Sequence, residues 1–246
     1  MQLNPYWNYS WNTKRWWAQP DDIEFVPMLW GAWGKETGLI NKIETDIFPE
    51  IEAGRVHRVL GFNEPDVAAQ SNLAVEDVVE YWQVLEDIGA PIASPSVGQG
   101  LGSWMLDFMS KVDESCLRME YVALHWYGGA SFQSFVTHME TVYQTYGSKR
   151  PLLITEFAPA DWNAETPEEN RFSQQQVLDF MKDALPWLEA TEWIAGYAWF
   201  PFEQSRAAGT SSALFDSSGN LTPLGTFYST VTTENPVGDQ SIVSNA

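Results

Sequence analysis

The chain has one cysteine, Cys116, and three histidines, His57, His125 and His138. A single thiol makes no intramolecular disulfide and no thiolate metal cluster. His57 falls on a strand start and His138 on a helix, so no closely spaced His/Asp/Glu set suggests a metal, and no metal or other cofactor is expected. Basic residues are also scarce, 13 against 33 acidic ones, for a formal charge of −20. Such a field repels nucleic acid and anionic membrane surfaces, so neither is expected as a partner. An uncharged ligand such as a sugar is not repelled. The apolar runs fall well short of the ~18 residues that span a bilayer. No Gly-x-Ser-x-Gly elbow is present, which sets aside a serine hydrolase of that type. Gly98-Gln99-Gly100-Leu101-Gly102 has the glycines of a phosphate loop without its full spacing. Met1-Gln2-Leu3-Asn4-Pro5 has no basic region followed by an apolar stretch, so a leader peptide is expected to be absent or removed.

What the chain does have is aromatic side chains, 13 Trp, 9 Tyr and 13 Phe in 246 residues. Tryptophan is bulky and carries a polar N–H, which limits how many a core absorbs. Several here fall in loops and beside strand ends, where sugar rings with apolar C–H faces would suit them. With 44% hydrophobic residues the chain is neither disordered nor membrane-embedded in composition.

Strand-like runs begin near Phe25, His57, Pro91, Tyr121, Pro151 and Trp193, a beat of roughly 30 residues that implies right-handed βαβ crossovers and a parallel sheet. An earlier aromatic strand covers Tyr6 to Trp11. Between the runs lie helical stripes, such as Val75, Val78, Val79, Trp82, Leu85 and Ile88, and Phe132, Phe135, Val136, Met139 and Val142. Thr166-Pro167-Glu168-Glu169 reads as the capping box of a further helix. The length is usual for one α/β barrel. We expect a single catalytic domain over residues 1–231 and a tail over 232–246, which has no apolar period.

Two of these runs end in glutamate. Val56 to Phe62 leads into Asn63-Glu64-Pro65, and Pro151 to Thr155 leads into Glu156-Phe157. Carboxylates at the C-terminal ends of parallel strands are where barrel enzymes keep their chemistry. Cleaving an acetal takes one carboxyl group to protonate the leaving oxygen and a second to stabilise or trap the anomeric cation. Glu64 and Glu156 supply both, and Asn63 can donate to a sugar hydroxyl. His125 reads equally as a structural histidine or a site residue.

Asn-Glu-Pro at one strand end and Thr-Glu-Phe three strands later resemble the retaining glycosidases of clan A. Together with Phe25 to Gly31, Leu124-His125-Trp126-Tyr127 and Tyr197-Ala198-Trp199-Phe200, they resemble glycoside hydrolase family 128, the endo-β-1,3-glucanases. The resemblance implies a (β/α)8 TIM barrel, here with an irregular or missing first strand, since only two runs precede Glu64. It implies Glu64 as acid/base, Glu156 as nucleophile, Asn63 on the sugar 2-hydroxyl, Tyr127 orienting the nucleophile and Trp199 under the sugar. His125, Trp126, Trp30 and Trp16 would be subsite walls. The expected partner is a β-glucan polysaccharide or oligosaccharide, met by a monomer that is secreted or in the cell envelope. A catalytically inactive β-glucan-binding protein, or a clan A hydrolase acting on another β-glycan, is the alternative.

Overall fold

The computed structural model describes residues 2–146 and 150–232. Apart from Thr232, the expected tail lies outside the described residues. The backbone forms a mixed α/β fold whose extended segments follow one another in parallel. Strand β1 (Trp7–Asn8) pairs with β2 (Glu24–Phe25). Single parallel bridges continue the series, Met28 to Leu60, Val59 to Ile92 and Asn63 to Ser96, then Ala93 to Tyr121 and Val97 to Leu124. Strands β3 (Val122–Trp126), β4 (Leu152–Phe157) and β5 (Ile194–Trp199) complete it in that order. Pro27, Pro91 and Pro95 cannot donate to a ladder, which breaks the runs they sit in into short bridges. Their neighbours still use the carbonyls, with Leu60 N donating to Pro27 O and Val59 N to Pro91 O, each at 2.9 Å.

Among the described residues no backbone pairing joins β5 back to β1, so the ladder does not close into the expected eight-stranded barrel. The series begins at the aromatic run Trp7–Asn8, which agrees with an irregular start. Side chains nevertheless meet across the gap. Trp7, Val26, Met28, Leu60, Ala93, Ala123 and Leu153 form one buried cluster, and Ala198 of β5 packs against it. Every extended segment thus turns a residue to a common interior. Alternate residues point the other way, to a second and larger cluster shared with the helices.

Those helices are α1 (Lys35–Lys42), α2 (Phe48–Glu52), α3 (Val75–Glu86), α4 (Ser103–Glu114), α5 (Phe132–Thr145), α6 (Gln174–Ala190) and α7 (Pro223–Tyr228). A π-helical stretch, Ile43–Ile47, joins α1 to α2 just before Pro49, whose missing N–H cannot continue the ordinary pattern. On α5, Phe135, Val136, Met139 and Val142 are buried, and the Ser131 side chain caps the start by accepting from Ser134 N at 3.3 Å. The capping box expected at Thr166 is displaced. Pro167–Glu169 is a single 3-10 turn, and α6 starts instead at a reciprocal Ser173–Gln176 box.

At the N-terminal end of the segments, Arg58 is 3% exposed, pairs with Glu24 at 3.3 Å and lies over the Trp7 ring at 4.9 Å. Burial pushes the Glu24 carboxyl above the usual range, against the opposing pull of the Arg58 and His57 charges. Removing one partner of a buried pair strands the other. Arg58→Leu is therefore expected to cost about 3–5 kcal/mol. An acid whose folded value is raised favours the folded state below its unfolded pKa, and that contribution is lost as pH rises through the raised value. The loss in Arg58→Leu should accordingly be larger at neutral than at acidic pH, as measured by urea midpoints at both.

Candidate active site

Glu64 is held where the third extended segment turns out of the series. Asn63 N donates to Trp30 O (2.9 Å) and Glu64 N to Ser96 O (2.7 Å), so both neighbouring segments grip the backbone at this point. Glu64 has φ +41°, a left-handed conformation that a non-glycine residue adopts at some cost. Gly98 forms a floor: a Cβ there would lie 3.1 Å from Glu64 Oε1 and 3.2 Å from Val67 Cγ2.

Glu156 reaches the same place through a bulge. Leu124 of β3 pairs with Ile154 and the next residue, His125, pairs with Glu156, which leaves Thr155 as the extra residue. Strict alternation from the inward Leu153 would turn Glu156 outward. The bulge restores the inward direction. Glu156 is 5% exposed.

His125 Nδ1 lies 3.0 Å from Glu64 Oε1 and 3.4 Å from Glu156 Oε2, so the two carboxylates meet across one imidazole. One ligand atom from each of Glu64, His125 and Glu156 falls within 4.8 Å of the others. The fold thus assembles a His/Glu set that the sequence spacing concealed. The Glu156 oxygens are already occupied. Oε1 accepts from Trp11 Nε1 at 2.7 Å and from Tyr9 Oη at 3.0 Å, and Oε2 accepts from Tyr127 Oη. A cation would have to displace these donors. Burial first, then the Glu156 charge, raises the Tyr9 and Tyr127 hydroxyls well above the ordinary phenol value, so both remain protonated donors.

The other residues singled out from the sequence divide between the two faces. Asn63 is buried at the site, its Oδ1 without a hydrogen-bond partner among the described residues. Trp30 is half-buried and stacks on the exposed Trp33 at 4.8 Å. His125 is 1% exposed and stands behind the carboxylates rather than along an open wall. Trp126 points away: its ring packs on Phe135 and Phe180 in the helix layer, because it alternates with the inward His125 and Tyr127. Trp199 does the same, meeting Phe157 edge-on at 5.1 Å and donating to Ser212 O at 2.8 Å. Phe200, one residue on, takes the inward place and meets Trp11 and Tyr127 edge-on at 5.9 and 5.4 Å. Trp16 is exposed and pairs with Trp17 at 5.9 Å on the loop after Trp11. Tyr9, Trp11 and Phe200 lie in runs that stand out in the sequence but receive no role at the site from it, although the aromatic alternation Trp7, Tyr9, Trp11 is the signature of one strand face.

Comparison with known proteins gives a consistent picture. The profile described as "Glycosyl hydrolase catalytic core" matches residues 1–228. An endo-β-1,3-glucanase of glycoside hydrolase family 128, subgroup I, from Amycolatopsis mediterranei, solved with laminaripentaose, superposes with a TM-score of 0.77 at 25% identity, covering 94% of this chain and 92% of that one. A subgroup V exo-β-1,3-glucanase from Cryptococcus neoformans does so with a TM-score of 0.72 at 28% identity, covering 92% and 89%. The chain is also 30% identical over 179 residues to Alkali-sensitive linkage protein 1 of Schizosaccharomyces pombe, a match spanning 69% of this chain and about a third (32%) of that protein.

The contact at Gly98 can be tested directly. A methyl group in Gly98→Ala should push the Glu64 carboxylate by a few tenths of an ångström and weaken its bond to His125. The His125 Nδ1 resonance in 15N NMR is expected to move while the thermal midpoint changes little. An unmoved resonance would mean that Glu64 does not rest on this floor.

Proposed function

The chain belongs to glycoside hydrolase family 128, and from that premise we propose that it is a retaining endo-β-1,3-glucanase acting by double displacement. The observation that carries this reading is the approach of Glu64 and Glu156, whose nearest oxygens belong to a group spanning no more than 4.8 Å. Retaining enzymes hold the two carboxyl groups about 5–5.5 Å apart, whereas inverting ones leave about 6.5–9.5 Å for a water.

On this reading Glu64 gives its proton to the glycosidic oxygen as that C–O bond breaks, and Glu156 forms a bond to the anomeric carbon. Water, deprotonated by Glu64, then attacks the anomeric carbon, and the bonding pair returns to Glu156. Asn63 would meet a sugar hydroxyl, and Tyr127 would orient the nucleophile. Trp30 would be a wall on the Glu64 side, with Trp16 a more distant one. Phe200 rather than Trp199 would face the sugar from β5, since its ring meets Trp11 and Tyr127 beside the carboxylates, and Trp126 and His125 would act from behind the cleft. Trp33, 61% exposed beyond Trp30, and Trp162, 60% exposed and 5.4 Å from Tyr127, extend the aromatic surface past both carboxylates. A surface that continues in both directions suits a chain cut internally, which supports endo over exo action. The relatives' β-1,3-glucans are the substrate class this arrangement is read to share. We further read residues 1–231 as one catalytic domain of barrel type, monomeric, and working outside the cell or in its envelope. Among the described residues no helix is long and apolar enough to cross a membrane.

Laminarin digestion tests the reading. Wild type should release reducing ends as a ladder of oligosaccharides whose new anomeric centre is β by NMR. Glu64→Gln should lose roughly 10²–10⁴-fold in kcat, and Glu156→Gln should be inactive. Because Glu64 must carry its proton when substrate binds, the rate should fall on the alkaline side. Exclusive release of mono- or disaccharides would replace endo with exo action. No new reducing ends from wild type would leave a β-glucan-binding protein, and α products would exclude retention.

A further inference from the structure

The donors on Glu156 come from two places. His125 belongs to β3, the neighbour of β4, and Tyr127 follows directly after its end. Tyr9 and Trp11 belong to the first extended run, which makes no backbone bond to this part of the sheet. On the side of the first run the contact is made by side chains alone. Tyr9 Oη sits 3.1 Å from the carbonyl oxygen of Thr155, the bulged residue, as well as 3.0 Å from Glu156 Oε1. Trp11 Nε1 is 2.7 Å from the same Oε1. Trp11 reaches it from a left-handed backbone, φ +53°, a conformation that persists in a bulky residue only where its surroundings fix it. The rings support each other, with Tyr9 on Trp11 at 5.2 Å and Trp11 on Phe200 at 5.9 Å.

This leaves the two oxygens of Glu156 with different neighbours. Oε1 faces the first strand. Oε2 faces His125 Nδ1, which also touches Glu64, and so it is the oxygen on the side of the acid/base.

We propose that Tyr9 and Trp11 are positioning residues that fix Glu156 Oε1, and with it the Thr155 bulge, so that Oε2 is the oxygen that bonds to the anomeric carbon. The inference rests on the reading of Glu156 as nucleophile. In the first half-reaction Oε2 forms the C–O bond while the glycosidic C–O pair leaves with the Glu64 proton. Oε1 becomes the carbonyl of the ester, still accepting from both N–H and O–H. In the second half water adds to the anomeric carbon, its proton goes to Glu64, and the Oε2–C pair returns to the carboxylate. Charge then flows back onto Oε1, where Tyr9 and Trp11 receive it. A hydrogen bond to an anion is stronger than one to a neutral ester. The pair therefore favours departure of Glu156 more than its attack, and the glycosyl-enzyme should turn over quickly.

Tyr9→Phe and Trp11→Phe each delete one donor and keep a ring. Each is expected to lower kcat roughly 10- to 100-fold, the range spanned by one hydrogen bond to a charged group, without raising KM. The covalent intermediate should accumulate, visible as a burst with an activated aryl β-glucoside oligomer and as a mass adduct on Glu156. The acid limb of the kcat/KM profile should move to higher pH, because an acceptor has lost a donor while Glu64, His125 and Tyr127 still face it. A purely structural role predicts instead a lower thermal midpoint, a loss shared by kcat and KM, and an unmoved acid limb; that result overturns the proposal. So does full activity in a folded double variant. Glu156→Ala is the separate check on the underlying reading. It should be inactive and rescued by azide to an α-glycosyl azide, and if it retains activity the nucleophile has been misassigned. The 13C carboxyl titration of Glu156 in Tyr9→Phe and Trp11→Phe reports on the contact without substrate. It should move to higher pH, and an unmoved curve rejects the clamp whatever the enzyme cleaves.

Discussion

A carboxylate placed as deeply as Glu156 has lost the water that would solvate it, and the protein must return the equivalent hydrogen bonds. Tyr9, Trp11 and Tyr127 do so with neutral donors, beside one imidazole that Glu156 shares with Glu64. Much of the local architecture follows from that need. The bulge at Thr155 brings Glu156 inward, the first aromatic run is drawn against it, and His125 is sealed behind it with Nε2 lacking a partner among the described residues. Each feature is awkward alone: a broken register, a left-handed tryptophan, an unpaired ring nitrogen. Such irregularities persist where the surrounding packing over-determines them.

The parallel series owes its cohesion to its interior more than to its ladders. Among the described residues pairing runs through several residues from β3 to β5, β1 and β2 share two residue pairs, and single bridges join the proline-interrupted segments between them. The inner cluster compensates, taking a small or medium side chain from each segment and one large one, Trp7, at the gap. A Cβ at Gly196 would come within 3.3 Å of the Trp7 indole nitrogen, so the absence of a side chain there lets the tryptophan lie against β5. The same aromatic run that closes the interior thus delivers Tyr9 and Trp11 to the carboxylate above it.

The βα rhythm, the helix faces and the two glutamates were legible in the sequence, because glutamate at the end of an apolar run is visible without knowing which way the run faces. The phase of each strand was not. Strands covered on both faces read as continuous apolar runs, so Trp126 and Trp199 looked as available as Tyr127 and Phe200. In the fold Trp126 and Trp199 point to the helices. The bulge that turns Glu156 inward leaves no trace in residue types, and Thr155 is an ordinary strand residue. Tyr9 and Trp11 were hidden differently: their role depends on meeting residues some 145 positions later, as the Trp11 to Glu156 bond does. The start of α6 was misplaced because Thr166-Pro167-Glu168-Glu169 and Ser173 to Gln176 carry similar capping signals. The second box completes both of its hydrogen bonds.

Among the described residues no arginine or lysine pairs with the Glu156 carboxylate, and on the proposed mechanism this has a chemical reading. An arginine or lysine against the carboxylate would stabilise its charge strongly and make it a better leaving group, but the same attraction would hold back its attack. Phenol and indole donors divide the difference: on the proposed mechanism they would orient one oxygen and lend partial stabilisation without cancelling the charge that an anomeric centre needs. The surroundings are consistent with this choice, since the protein carries a net −20 and places aromatic faces rather than cations around the site. A neutral sugar chain would enter such a field without electrostatic penalty, and on the proposed mechanism the charge that then matters is the one that develops between Glu64 and Glu156.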